Sequence, residues 1–359
     1  MSLNKDFKSE FSRFLLRWDK KKNDRQMPWK GEKDPYKIWL SEIILQQTRV
    51  EQGWVYYKKF VENYPTVQLL AVAPDTEVYK SWEGLGYYNR CKNLLESARY
   101  ISEKLDGVFP GKYEDILSLK GVGTYTAAAI SSFAFNFPYA VLDGNVFRVL
   151  ARIFGIKKAI NAADGKKYFT KLASELLHKK QPGIYNQALM DFGAVVCKPV
   201  NPICPACVFK NNCYAFKNDL IREFPLKEKK NKVRNRWFYY IVLEYKNRIY
   251  IKKRTGNDIW KNLYEFVLIE TDQIAGKKKV LNLAIKKGFL EKGSFSVQSV
   301  SSNQSQQLSH QKITGQFIRV KLQKALTIPG LKAVSPNQLV KYPFPRFINA
   351  YLFPLPARH

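Results

Sequence analysis

The sequence predicts two domains: an all-helical one over residues 1–216 and an α+β one over 236–359, joined by a basic linker, 217–235. Three observations carry this reading. From residue 6 to about 216, apolar side chains recur three and four positions apart, and the intervening loops hold Gly or Pro. "PLKEKKNKVRNR" (225–236) is basic and poor in apolar residues, the composition of a linker. Beyond it, "WFYYIVLEY", "RIYIKKR" and "FIRVKLQ" are aromatic and β-branched, as strands are.

Taken in order, "IWLSEIILQQTRVEQGWVYYKKFVENY" reads as a helix, a break near Gly53, and a second helix. "VYKSWEGLGYYNRCKNLLESARYISEKL" carries a Gly-x-Gly turn, Gly84 to Gly86, that leads into another. "LKGVGTYTAAAI" (119–130) resolves with its upstream residues into a short helix at Asp115–Leu119, a hairpin at Lys120–Gly123, and a helix from Thr124. That is a helix-hairpin-helix. The glycines let the backbone turn and approach a ligand closely, and the following helix offers unpaired N–H groups, a combination that suits phosphate. One glycine pair alone is ordinarily just a turn. Two in one basic helical domain favour contact with a phosphate backbone through Gly121, Val122 and Gly123. "KKYFTKLASELLHKK" and "GIYNQALMDFGAVVC" are amphipathic helices.

Charge narrows the partner. The 60 Lys and Arg against 30 Asp and Glu leave a formal net charge of +30, too large an excess to serve solubility alone. Such a field favours a polyanion, nucleic acid before anionic membrane. No apolar run approaches the ~20 residues of a membrane span, and the N-terminus has no secretory pattern. A soluble, cytoplasmic, monomeric protein associated with the nucleoid is expected.

Four of the five cysteines fall within "CKPVNPICPACVFKNNC", with spacing Cys-x6-Cys-x2-Cys-x5-Cys for Cys197, Cys204, Cys207 and Cys213. Four soft thiolates suit a tetrahedral zinc or an iron–sulfur cluster. Structural zinc usually shows two short pairs, and only one occurs here, so the longer spacers favour a [4Fe–4S] cluster. Cys91 reads as a buried apolar filler.

Two carboxylates stand in suggestive surroundings. Asp143 precedes Gly144 and Asn145 in "VLDGNVFRVLAR", where a helix N-cap is the ordinary explanation. Glu42 lies among Leu40, Ile43, Ile44 and Leu45. On an apolar face it would hold its proton near neutrality, and on the other face it would be a plain surface acid. Spacing alone does not bring the two together.

Several ordered motifs then converge: "MPWK" (27–30), "SEIILQQTRV" (41–50), "WEGLGYYNR" (82–90), "LKGVGTYTAAAI", "VLDGNVFRVLAR", the four-cysteine loop and "LSHQK" (308–312). Together they resemble the endonuclease III superfamily of DNA glycosylases, and over nearly the whole chain its adenine glycosylase (MutY-type) branch. The resemblance implies removal of adenine mispaired with 8-oxoguanine or guanine in double-stranded DNA, after the base is flipped out. Glu42 matches the general acid that protonates adenine N7. Asp143 matches the ionised carboxylate that stabilises charge on the sugar, and Asn145 a residue positioning that chemistry. Arg25, Trp29 and Gln187 match the base pocket, where glutamate also occurs at the position of Gln187. Gln47 and Tyr87 match residues that enter the helix around the lesion. Tyr125 stands where the lyase branch has a Schiff-base lysine, so the resemblance implies a monofunctional enzyme that leaves an abasic site.

The C-terminal domain resembles a Nudix fold. It keeps Gly256, Trp260 and Glu265 but has "GKKKVLNLAIKKG" in place of the acidic helix that binds Mg²⁺, so binding rather than hydrolysis is implied. Leu308, Ser309 and His310 match the motif that reads 8-oxoguanine, with Leu308 where an aromatic commonly stands. Two other readings remain: a bifunctional pyrimidine-damage lyase on the same fold, which Tyr125 disfavours, and a DNA-binding protein without chemistry, which the retained Glu42 and Asp143 disfavour.

Overall fold

Helical periodicity and strand alternation separate cleanly in the computed structural model, which describes residues 5–27, 29–228 and 233–354. Twelve helices come first. They are α1 (Lys5–Lys22), α2 (Pro35–Leu45), α3 (Val50–Asn63), α4 (Val67–Val72), α5 (Asp75–Ser81), α6 (Asn89–Lys104), α7 (Tyr113–Ser118), α8 (Thr124–Phe135), α9 (Gly144–Phe154), α10 (Ala163–Leu176), α11 (Pro182–Val195) and α12 (Tyr214–Lys217). Strands β1 (Arg234–Tyr245), β2 (Arg248–Lys253), β3 (Tyr264–Glu265) and β4 (Val267–Thr271) follow, then α13 (Lys277–Lys286). After it come β5 (Phe295–Val300), β6 (Gln304–Gln307), β7 (Gln311–Leu322), β8 (Leu331–Val334), a 3₁₀ turn (Pro336–Lys341) and α14 (Arg346–Leu352).

Two compact units form. One holds Met1–Val72 and Lys92–Lys229, the other Ala73–Cys91 and Lys230–His359. The second therefore takes in α5 and the Gly84–Gly86 turn, which local pattern assigns to the helical domain. Its reasons are tertiary. The Tyr79 hydroxyl accepts a hydrogen bond from Asn262 Nδ2 at 2.9 Å, and Glu83 accepts one from the Phe344 N–H at 2.8 Å. The first part of the expected linker also belongs elsewhere: Leu226 accepts from the Ile160 N–H and Glu228 bonds Asn161, which ties it to the helical unit. The remainder of that linker includes 229–232, outside the described residues, as does Pro28 of "MPWK".

In the helical unit, Phe7, Phe11, Leu15 and Trp18 of α1 sink into a core shared with α9, α10 and α11. Each such side chain contributes roughly 1.5–3 kcal/mol on burial. Phe209, from the cysteine-rich loop, stacks on Phe11 at 4.8 Å and meets Phe192 edge-on, which anchors that loop to the same core. The break between α2 and α3 falls at residues 46–49, not near Gly53. Gly53 is buried inside α3, because a side chain there would strike Leu45 at 2.7 Å.

The hairpin between α7 and α8 spans residues 119–123, with Gly121 at φ +78°, a left-handed conformation that favours glycine. The sheet unit is built on β1 and β7, parallel and paired from Arg234↔Gln311 to Glu244↔Lys321. The main path runs β3-β2-β1-β7-β5, with β4 also on β1, β6 on β7 and β8 on β2. Helix α13 covers one face through Val280 and Ala284.

Candidate active site

Helix α2 begins cleanly, with Asp34 accepting from the Tyr36 N–H at 2.9 Å and Pro35 in the first turn. Its body is apolar almost all round and buried, and Glu42 is buried with it at 6 % exposure. Against it stands α8 with Tyr125, and beyond that the start of α9. Asp143 is the N-cap of α9: Oδ1 accepts from the Val146 N–H at 2.7 Å, and Oδ2 from Asn145 Nδ2 at 2.7 Å. The cap is therefore real, and the capping carboxylate also faces the cavity. Gly193 of α11 makes this possible, since a Cβ there would lie 2.6 Å from the Asn145 Cβ.

One cavity of about 470 Å³ is lined by Arg25, Trp29, Glu42, Gln47, Tyr125, Asp143, Asn145 and Gln187. Glu42 and Asp143, 101 positions apart, thus share one chamber with Tyr125, Asn145, Arg25, Trp29 and Gln187, and Gln47, expected at the DNA helix, lines it too. A second chamber of about 280 Å³ shares Trp29, Glu42 and Gln187 with it. Trp29 is held edge-on by Tyr57 at 5.5 Å.

Burial pushes the Glu42 carboxyl up to about 7, the Asp143 charge adds to the rise, and the Tyr125 hydroxyl opposes it. Burial also raises Asp143, but Val146, Asn145 and the Arg148 guanidinium pull it back. The two acids are therefore unequal. Asp143 has donors that stabilise its charged form, whereas Glu42 has only a phenol among the described residues. The Tyr125 hydroxyl, whose single proton serves either Glu42 or Met190 Sδ 3.6 Å away, has its own ionisation lifted by burial well above the usual range.

Three buried residues escaped the sequence reading. Arg148 donates to Asn145 Oδ1 at 2.8 Å and to the Gly193 and Cys197 carbonyls at 2.7 and 2.8 Å. Arg152 donates to the Lys198 carbonyl at 2.7 Å and lies 3.5 Å from Cys197 Sγ. Asp191, fully buried on α11, receives Arg25, Asn23, Lys30 and Gln187. Charged residues spaced by four on largely apolar helices, such as Arg148 and Arg152, were the available signal.

Cys197, Cys204, Cys207 and Cys213 line one small cleft with Ile153, Phe192 and Ile203. Among the described residues, no group of three or more His, Cys, Asp or Glu side chains is placed to hold a metal ion. Cys91 is fully buried, and burial raises its thiol well above the usual range.

Of the remaining expected residues, Gly121, Val122 and Gly123 form the α7–α8 hairpin. Gln47 and Tyr87 are exposed non-glycine residues in left-handed backbone, at φ 57° and 49°, conformations held against strain and common at functional sites. In the sheet unit, Leu308, Ser309 and His310 make the tight turn from β6 to β7, and Ser309 Oγ lies 2.9 Å from the Tyr87 hydroxyl. Among the described residues, no helix is long and apolar enough to cross a membrane.

Comparison with known proteins bears on the family and the fold. Residues 40–179 match the HhH-GPD superfamily of base excision DNA repair proteins, and 238–352 match the NUDIX domain. The chain is 37 % identical over 256 residues to an adenine DNA glycosylase of Buchnera aphidicola from Acyrthosiphon pisum, covering 71 % of this chain and 73 % of that one. It is 37 % identical over 261 residues to the adenine DNA glycosylase of the Baizongia pistaciae strain, covering 71 % and 73 %. A solved thermostable thymine-DNA glycosylase superposes with a TM-score of 0.55 at 31 % identity, covering 59 % of this chain and 98 % of that one. The expected fold class, a helix-hairpin-helix domain followed by a Nudix-like one, is borne out. On these grounds the chain belongs to the adenine DNA glycosylase family.

Proposed function

We propose that the enzyme hydrolyses the N-glycosidic bond of adenine mispaired with 8-oxoguanine or guanine, without lyase activity. The observation that carries this is the unequal carboxyl pair in one chamber. Glu42, pushed up to about 7, keeps a proton near neutrality and delivers it to adenine N7, so that a neutral base leaves. Asp143, held by Val146 and Asn145, faces the positive charge that develops on the sugar. Water then attacks the sugar. Tyr125 has no amine, so no Schiff base forms there and an abasic site remains. The flipped adenine occupies the chamber walled by Arg25, Trp29 and Gln187.

Duplex DNA is the partner, bound through the Gly121–Gly123 hairpin and entered by Gln47 and Tyr87. Ser309 and His310 read 8-oxoguanine, and the bond from Ser309 to Tyr87 supports a role for both at one base pair. The four cysteines line one cleft and supply only soft thiol donors, the donor set a [4Fe–4S] cluster takes. Cys197, Cys204, Cys207 and Cys213 would hold it, and its contribution when bound is to fix the loop that carries Lys198.

The test incubates the protein with duplexes containing A:8-oxoguanine, A:G, A:C or thymine glycol. Alkali-dependent cleavage of the adenine strand alone is expected. Robust borohydride trapping on DNA by the wild type would sink the monofunctional reading. A colourless purified protein would sink the cluster.

A further inference from the structure

We propose that Asp191 is a positioning residue that sets which purine the pocket accepts, by fixing the direction of the Gln187 amide. The inference rests on the reading above, that the flipped base enters the chamber lined by Gln187.

Asp191 lies one helical turn beyond Gln187 on α11, and its side chain has no access to solvent. Its Oδ1 accepts from Arg25 Nη1 at 2.8 Å and from Gln187 Nε2 at 2.9 Å. Its Oδ2 accepts from Asn23 Nδ2 at 2.9 Å and from Lys30 Nζ at 3.2 Å. An ionised carboxylate offers about four acceptor positions and no donor, so this one is saturated.

The consequence falls on Gln187. An amide can turn either its NH₂ or its oxygen towards a neighbour, but an acceptor-only partner permits just one choice. The NH₂ must face Asp191. Among the described residues no hydrogen bond engages Gln187 Oε1, which is left as an acceptor for whatever occupies the chamber. Adenine carries an amino group at C6, a donor that matches an acceptor. Hypoxanthine carries a carbonyl there and would set two acceptors against each other in a buried site, where an unmet polar group is costly. Asp191 therefore makes a chemically ambiguous side chain selective for a 6-amino purine, and through Arg25 it ties a second wall residue to the same anchor.

Asp191→Asn tests this in the full-length protein. Asparagine presents an NH₂ as well as an oxygen, so the Gln187 amide is free to invert. Single-turnover excision is measured for adenine and for hypoxanthine placed at the same position opposite guanine. The adenine-to-hypoxanthine rate ratio is expected to fall by about tenfold or more. A merely structural role would lower both rates and leave the ratio unchanged, which would overturn the proposal. Should Asp191→Asn fail to fold, Gln187→Met removes both ends of the amide with Asp191 intact. The same loss of ratio is then expected, and an unchanged ratio again overturns it. A wild type inert on adenine but active on thymine glycol would overturn the functional reading and this inference with it.

Discussion

Each unit buries a glutamate, Glu265 in the sheet unit and Glu42 in the helical one, and the two face opposite neighbours. In the sheet unit, Arg236 lies between Asp258 and Glu270 with four hydrogen bonds of 2.7–2.8 Å, and Arg254 pairs with Glu265 and Asp258. Asp258 is driven below the usual carboxylate range by Arg236, even though burial pushes it up. In the helical unit, Glu42 is as well hidden as Glu265, at 6 % against 3 % exposure, yet it faces a phenol and another acid instead of a guanidinium. Burial raises both acids, but Arg254 and Lys252 pull Glu265 back, whereas among the described residues no cation offsets the lost hydration of the Glu42 anion, and that suits Glu42 to hold a proton.

Several measurements would break or sharpen this contrast. The largest effect is expected from Glu42→Gln, which keeps the shape and removes the proton. Single-turnover adenine release should fall by at least ~10²–10⁴-fold while gel-shift affinity for the mispaired duplex is retained. Retained activity would mean that pairing, not protonation, is the purpose of the burial.

Next comes Arg254→Met, which leaves the buried Glu265 with Lys252 at 3.6 Å as its one cation among the described residues. The expected loss is about 3 kcal/mol in denaturant unfolding of the sheet unit, since breaking a buried pair strands a charge. A cost near zero would show that Glu265 simply takes up a proton, as Glu42 does.

The pH profile follows in size. The folded value for Glu42 is raised from 4.5 to about 7, so the protonated form prevails below that point and the anion above it. The single-turnover rate should fall about tenfold per unit above pH ~7, hold steady just below it, and fall again in acid as Asp143 takes up a proton. The sign for stability is the same: the folded state holds the extra proton between about 4.5 and 7, and the Glu42 contribution is lost as pH rises through that window.

The smallest effect is expected from Tyr125→Phe. Removing the hydroxyl that lowers the Glu42 value should move the falling limb to higher pH by a few tenths of a unit. Tyr125→Lys, in contrast, should introduce a borohydride-trappable fraction.

Legibility in the sequence followed the range of the interactions. The apolar run around Glu42 left its face undecided until nearly all of α2 proved buried, whereas Asp-Gly-Asn foretold a helix cap. The hairpin was legible because glycine spacing is local. Asp191 was not, since its donors Asn23, Arg25 and Lys30 lie more than 160 positions away and nothing around it in α11 marks them. Arg148 and Arg152 were passed over for the same reason, their acceptors being carbonyls of a distant loop. Nor could local pattern tell that Ala73–Cys91 would join the sheet unit, because Asn262 and Phe344 call it there from the far end of the chain.

That last feature bears on how the protein can be divided. The backbone passes between the units after Val72, after Cys91 and after Lys229, so a truncation at the basic linker severs only one of three connections. A fragment ending near residue 216 would carry Tyr79 without Asn262 and would leave the Glu83 carboxylate without the Phe344 N–H. The excision domain is therefore not a module that ends where its helices end.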